Sequence, residues 1–323
     1  MKRRSLTLSA AALALVPLLG HAQPQAFPEK PITFVVPFAA GTATDQIARA
    51  LGNSITAETK QPVVIDNKAG ASGFIASQQV AKAAADGYTV LITTNTTHAA
   101  NEHLFKKLPY DPVKDFAPVT ALGKGGQIMV VNPSFPAKSV AEFVALAKKE
   151  PGKYSFGSGS SSSRMAGELL QQMADIKLLH VPYKSNTLAV TDLLGGQIHM
   201  MITDAATGLP QVKGGKLRAL GVSSAARSPL APDVPTISEA GVKGYEMGYW
   251  FAAYAPAKTP PAVVKRLNEL LVKAAKSESA KAAFYEPTGT EVFTTSPEEL
   301  ARFQTAESQK WGRIVKAAGI EAE

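Results

Sequence analysis

The stretch Pro31-Ile-Thr-Phe-Val-Val-Pro-Phe-Ala-Ala-Gly-Thr-Ala-Thr-Asp45 decides how the chain is read. Residues 32–37 are dominated by apolar strand formers and read as a buried strand. A loop of small residues follows. Over residues 44–59, Ile47, Ala48, Leu51 and Ile55 recur at helical spacing and give one apolar face. A strand, a short loop and an amphipathic helix make the opening of a βα unit. Such units build parallel sheets covered by helices.

Working outward, the same rhythm continues. Residues 63–66 read as a strand, 75–84 as a helix and 89–93 as a strand. Further on, 128–132 is a strand. Residues 139–150 form a helix opened by the capping box of Ser139 and Glu142 and closed by Pro151-Gly152. Residues 154–157 are a strand, 162–174 a helix, and 178–181, 200–202 and 217–222 are strands. Two long helices end the chain, one over 260–276 and one opened by Ser296-Pro-Glu-Glu299 and reaching Ala318. That is too many strands for one small sheet, and 323 residues of α/β pattern predict two domains. No Pro/Ser-rich linker, low-complexity run or short repeat separates them. The chain is therefore expected to cross between lobes by continuous strands, at 123–131 and 248–254. The expected lobes are residues 23–124 plus 254–323, and residues 125–253.

The first residues read as a secretory signal peptide. Lys2, Arg3 and Arg4 form a basic head, residues 6–19 are mostly apolar, and Gly20-His21-Ala22 offers small residues for cleavage after Ala22. The apolar run is too short to span a bilayer, and Pro17 interrupts it. Residues 1–22 are thus expected to be removed, leaving a soluble periplasmic protein. The formal net charge is +8, and the leader carries three of the 34 basic residues and no acidic one, leaving +5. That balance is mild, and no basic stripe interleaved with aromatics argues for nucleic acid. The chain has no cysteine, which excludes thiol catalysis, a lipoprotein anchor and cysteine-ligated metals. The five histidines show no metal-ligand spacing, so neither metal nor cofactor is expected.

Two loops carry the chemistry. Phe38, Ala40, Gly41, Thr42, Ala43, Thr44 and Asp45 lie between the first strand and the first helix. Gly157, Ser158, Gly159, Ser160, Ser161 and Ser162 lie at the next Gly/Ser-rich strand-to-helix junction. Unsatisfied amides at a helix N-terminus bind anions without a charged side chain, and serine hydroxyls add donors. Both loops are expected at the carboxyl ends of strands, where open parallel sheets bind ligands. One loop in each lobe predicts an anion gripped from both sides. A hydrolase is the competing reading. The serines form no G-x-S-x-G elbow, and no histidine or acid stands at a persuasive position in the sequence. The first loop lacks both G-x-G-x-x-G and the phosphate-loop pattern.

The whole chain beyond the leader resembles the Bug/TctC family of extracytoplasmic solute receptors, associated with tripartite tricarboxylate transport. The likeness rests on the order of its motifs. These include Pro31-Ile-Thr-Phe-Val-Val-Pro-Phe38, Asn67-Lys-Ala-Gly70, Ala85-Asp-Gly-Tyr-Thr89, Leu108-Pro-Tyr-Asp-Pro112, His180-Val-Pro-Tyr-Lys184, Asp192-Leu-Leu-Gly-Gly-Gln197 and Pro232-Asp-Val-Pro-Thr236. The resemblance implies a type II periplasmic-binding-protein fold with a hinged cleft, and a ligand carboxylate held by the two loops named above. It implies a dicarboxylate, aromatic carboxylate or amino acid as ligand. The implied partner of this monomer is a transporter membrane component or a sensor protein. Asn95, Thr96 and His98 follow the third strand and are expected to reach the ligand. Arg164 stands where the family often has histidine; it reads either as a partner for a second carboxylate or as a surface residue. Asp204, often asparagine in the family, reads as a ligand contact or a helix cap. Tyr249, Trp250 and Phe251 offer a flat apolar wall, with core packing expected for at least one.

Overall fold

The computed structural model describes residues 27–317 and 319–322; the signal peptide read at 1–22 lies outside them. Among the described residues the strands are β1 (Ile32–Val36), β2 (Val63–Asn67), β3 (Thr89–Thr94), β4 (Phe116–Val131), β5 (Ser155–Ser158), β6 (Leu179–Pro182), β7 (Met200–Asp204), β8 (Arg218–Val222) and β9 (Gly248–Pro256). The helices that matter below are α1 (Ala43–Thr59), α2 (Phe74–Ala81), α3 (Asn101–Leu104), α4 (Val140–Lys149), α5 (Ser161–Ala174), α6 (Asn186–Leu194), α7 (Ala205–Lys213) and α8 (Pro261–Ala275), with a C-terminal helix over Pro297–Ala317.

The strands run in the order β2-β1-β3-β9-β4-β7-β5-β6, with β8 also paired to β4. At one end β1 is parallel to β2 and β3; at the other β5 is parallel to β6 and β7. Two long strands join these ends. β9 runs antiparallel to both β3 and β4. β4 is one 16-residue strand that changes partners along its length. Its Phe116–Gly126 stretch pairs β9, while Gln127–Val131 pairs β7 and Ile128–Val131 pairs β8. The sequence reading treats 123–131 as a crossing and 128–132 as a strand; both belong to this single element.

Besides the single turn of α3, two longer helices, α6 and α7, are absent from the sequence reading. Their signals are weak: α6 buries only Ala189, Val190 and Leu193, and α7 carries Pro210 inside it. By contrast α1 follows its apolar stripe closely. Ile47, Leu51 and Ile55 pack with Phe34 and Val36 of β1 and with Leu267 and Leu270 of α8. Each such fully buried aliphatic contributes roughly 1.5–3 kcal/mol relative to exposure. The helix stops at Lys60, which is left-handed (φ 61) and donates its N–H back to Thr56. The cap predicted for α4 also forms, with Glu142 N–H donating to Ser139 Oγ at 3.1 Å. The C-terminal helix opens with the reciprocal pair Glu299 N–H to Ser296 Oγ (3.1 Å) and Ser296 N–H to Glu299 Oε2 (2.8 Å).

The carboxyl ends of β1, β3, β5 and β7 are followed by Pro37–Thr42, Asn95–Thr97, Gly159–Ser160 and α7 respectively. These junctions converge where β4 passes from one end of the sheet to the other, and they form the site.

Candidate functional site

A small cavity lies at this convergence. It is lined from the first loop by Phe38, Thr42, Ala43 and Thr44, and from the second by Gly159, Ser160 and Ser162. Thr94, Asn95 and Asp204 contribute from the ends of β3 and β7. Gln127 of β4, Tyr249 and Phe251 of β9, and Asn186 of α6 complete it. About 40 Å³ is open to the centres of water-sized molecules. No lysine, arginine or histidine is among these lining residues.

The two helix N-termini are built differently. At α1, the N-cap Thr42 makes no side-chain cap. Its hydroxyl donates instead to Ala39 O at 2.7 Å. The first-turn amides of α1 therefore keep the open donors that every uncapped helix start presents. Asp45 does not offset them, because its carboxylate is occupied. It accepts from Gly41 N–H (2.9 Å), Arg49 Nε (3.0 Å) and Asn67 Nδ2 (3.0 Å), and pairs with Arg49 Nη2 at 3.0 Å. Asn67 Nδ2 also donates to Phe38 O at 3.0 Å. Burial pushes the Asp45 carboxyl up, but bonds from Arg49, Gly41 and Asn67 outweigh it and hold the group below the ordinary 3.8. Asp45 is thus a brace for the loop. Gly41 turns the chain beneath it with φ +81, a left-handed conformation that glycine adopts without strain.

The start of α5 is capped at Ser163. Ser160 Oγ accepts from Ser163 N–H at 3.3 Å, and Ser163 Oγ accepts from both Gly159 N–H and Ser160 N–H at 3.2 Å. Asn186 Oδ1 takes further bonds from Gly159 N–H (3.0 Å) and Ser163 Oγ (2.9 Å). Asn186 Nδ2 in turn donates to Asp204 Oδ2 at 3.0 Å. Asp204 caps α7, accepting from Thr207 N–H (2.9 Å) and Thr207 Oγ1 (2.8 Å). With Thr203 Oγ1 also donating to Oδ2 at 3.4 Å, both Asp204 oxygens are engaged. The choice left open for Asp204 resolves as a helix cap that also walls the cavity.

Three hydrogen bonds tie α5 to the segment after β3. Ser162 Oγ donates to Asn95 Oδ1 at 2.9 Å and lies 3.2 Å from Thr96 Oγ1, while Ser161 Oγ donates to Asn101 Oδ1 at 2.8 Å. Asn95 Nδ2 is anchored to Gly248 O at 3.2 Å.

Of the residues singled out from sequence, nine face this cavity: Phe38, Thr42, Ala43, Thr44, Asn95, Gly159, Ser160, Ser162 and Asp204. Ala40 and Gly41 are exposed on the loop. Asp45 and Thr96 are buried behind the wall, and Gly157 sits inside β5. Ser158, Ser161 and Arg164 face an adjoining chamber instead. Tyr249 and Phe251 do form a wall. Trp250, one residue out of phase on the strand, turns to the opposite face and donates to Glu307 Oε2 at 3.2 Å. Thr94, Gln127 and Asn186 were not anticipated. Gln127, set between Gly126 and the apolar run 128–131 of the crossing strand, is only 2% exposed. Its Oε1 has no hydrogen-bond partner among the described residues. One sequence statement is corrected: a histidine does meet a serine of the second loop. Ser158 Oγ and His180 Nε2 lie 2.7 Å apart, brought together by the parallel pairing of β5 and β6. No sequence spacing encodes that pairing.

Residues 47–320 match the family described as "Tripartite tricarboxylate transporter family receptor". The chain belongs to this family. A Rhodopseudomonas palustris protein solved with adipate, Rpa4515, is 35% identical at a TM-score of 0.89, covering 92% of this chain and 100% of that one. The periplasmic binding protein BugD is 32% identical at a TM-score of 0.87, with the same coverages of 92% and 100%. MatC from Rhodopseudomonas palustris, solved with bound malate, is 31% identical at 0.84, covering 90% and 100%. The two-ended α/β architecture is that of these periplasmic binding proteins, and the chain is a solute receptor by family. Among the described residues no helix is long and apolar enough to cross a membrane.

Proposed function

We propose that the protein captures a small carboxylate in the periplasm by binding alone, for uptake through a tripartite tricarboxylate transporter. In this reading residues 1–22 direct export and are removed. Residues 23–124 with 254–323 and residues 125–253 act as lobes, hinged where β4 and β9 cross, and the receptor works as a monomer. A membrane component of the transporter reads the closed form; a sensor protein is the alternative reader.

One observation carries the ligand class. Thr42 leaves the start of α1 uncapped beside a cavity that holds no cationic side chain. Amides at such a terminus, aided by the helix dipole, favour a negatively charged oxygen pair. The unpartnered Gln127 Oε1 is an acceptor, so it suits a hydroxyl or another donor elsewhere on the ligand and not the carboxylate itself. The names of the neighbours solved with adipate and malate point to the same class.

The Ser158–His180 contact supports a second reading, a serine hydrolase. Against it, the amides that follow Ser158 already donate to Ser163 Oγ and Asn186 Oδ1, so they do not make an oxyanion hole. Titration calorimetry with mono- and dicarboxylates, amino acids, neutral sugars and amines tests the first reading; binding of a sugar or amine and of no carboxylate overturns it. Ester turnover by the intact protein, lost in Ser158→Ala, would establish the second.

A further inference from the structure

The cavity at α1 is too small to hold a whole ligand. A buried water needs at least roughly 10–15 Å³ measured in this way. The ≈ 40 Å³ available therefore takes a carboxylate head and little more. A second chamber adjoins it, with ≈ 390 Å³ measured in the same way. Phe38, Gly159 and Ser160 line both, so the two spaces meet at the second loop.

The chemistry of the two spaces differs sharply. The outer chamber is lined by Arg164, Lys184, His180 and the hydroxyl-bearing Ser158, Ser161 and Tyr183, and by no acidic residue. The Arg164 side chain is only 20% exposed, and its partner on α5, Glu168, stands at a long 3.8 Å. Burial, the largest influence on Glu168, raises its pKa against the pull of Arg164 and Gln171. Tyr183 OH is directed to Asp192 Oδ2 at 2.8 Å, and Ser161 to Asn101, so these neutral groups shape the chamber and the cations set its charge.

We propose that this chamber is a second anion subsite, with Arg164 and Lys184 receiving the far carboxylate of a dianionic ligand whose near carboxylate lies at the start of α1. The inference rests on the carboxylate-receptor reading above and adds to it. The inner site accepts any carboxylate through neutral amides; the outer chamber selects ligands that carry a second negative charge on a chain long enough to pass Ser160.

Calorimetry on the mature protein with paired probes tests this: succinate, glutarate and adipate, each against its monomethyl ester, with hexanoate as the single-charge reference. The dianions should bind at least 10-fold tighter than their monoesters. Arg164→Met, which keeps the aliphatic stem, should erase most of that advantage and leave hexanoate unchanged. Arg164→Lys should restore part of it, and both variants should keep the parent's circular-dichroism spectrum. Equal weakening of hexanoate and adipate in Arg164→Met, or no weakening of adipate, overturns the second subsite while leaving the receptor reading intact. Failure of every carboxylate to bind the parent protein overturns both.

Discussion

Replacing Gly159 with alanine probes the brace that holds the second loop. A Cβ at this position would stand 1.8 Å from Ser185 C, 2.1 Å from Asn186 N and 2.3 Å from Ser185 O. All three are backbone atoms, so no side-chain rotation relieves the overlap, and the loop must retreat from the start of α6 by more than an ångström. That retreat breaks the Gly159 N–H bond to Asn186 Oδ1 and strains the Tyr183 N–H bond to Ser158 O at 2.7 Å. Two bonds at about 1 kcal/mol each, with overpacking strain of about 1–3 kcal/mol, sum to about 3–5 kcal/mol. A chain of this size shifts its melting temperature by roughly 2–4 °C per kcal/mol, so a fall on the order of 10 °C is expected by circular dichroism. Carboxylate affinity should fall as well, because the displaced residue lines the cavity. Gly152→Ala is the control: nothing lies within 4 Å of its added Cβ and only the left-handed backbone (φ +79) resists, so its effect should stay near 1 kcal/mol, with binding unchanged. If Gly159→Ala melts within 2 °C of the parent and binds ligand normally, the loop is not held by the contacts described.

Two further outcomes concern acid stability. Asp45 is held below its ordinary 3.8, so it stabilises the fold above that pH and the contribution is lost as pH falls further; Asp45→Asn should flatten the acid limb of the stability curve there while lowering stability at neutral pH. His98 is fully buried against Tyr254, ring centroids 3.9 Å apart, and burial holds it neutral with a pKa of about 3 against 6.5 in an open chain. The unfolded chain therefore binds the proton first, and stability falls as pH drops from 6.5 toward 3; His98→Phe should make urea-unfolding midpoints less pH-dependent across that window, and an unchanged slope would show that His98 does not set it.

What could be read from sequence follows the range of the interaction. The β1–α1 junction was legible because Ile47, Leu51 and Ile55 repeat locally, and the start of α5 because serine and glycine cluster there. Segments 123–131 and 248–254 were legible as extended chain because they are rich in small or apolar residues, and both lie within the long strands β4 and β9. Asn186 was not, since its role depends on Gly159, which lies 27 positions away along the chain. Ser158 and His180 meet only through strand pairing, and α6 and α7 lacked the long apolar stripe that announces a helix. The two acids in the site illustrate the limit best. Asp45 is held by protein donors behind the cavity wall, whereas Asp204 caps α7 and still faces the cavity. Only the hydrogen-bond partners of each acid separate these roles, and no local spacing encodes them.

The difference between the two helix starts has a consequence for the hinge proposed above. At its start α5 reaches across the cleft with the hydroxyls of Ser161 and Ser162 on Asn101, Asn95 and Thr96, and farther along Gln172 donates to Ala317 O. These are neutral hydrogen bonds, each worth about 1 kcal/mol net once water competes for the same groups. These bonds form with or without ligand and help set where the open–closed equilibrium starts; a ligand that carries it from 1:99 to 99:1 must itself bind the closed form more tightly by roughly 5.5 kcal/mol. The open amides of α1 are a group on the first side able to contribute to that difference. A ligand that engages those amides in both forms equally would leave the equilibrium where it started, so closure depends on the contacts that the second side adds only when closed.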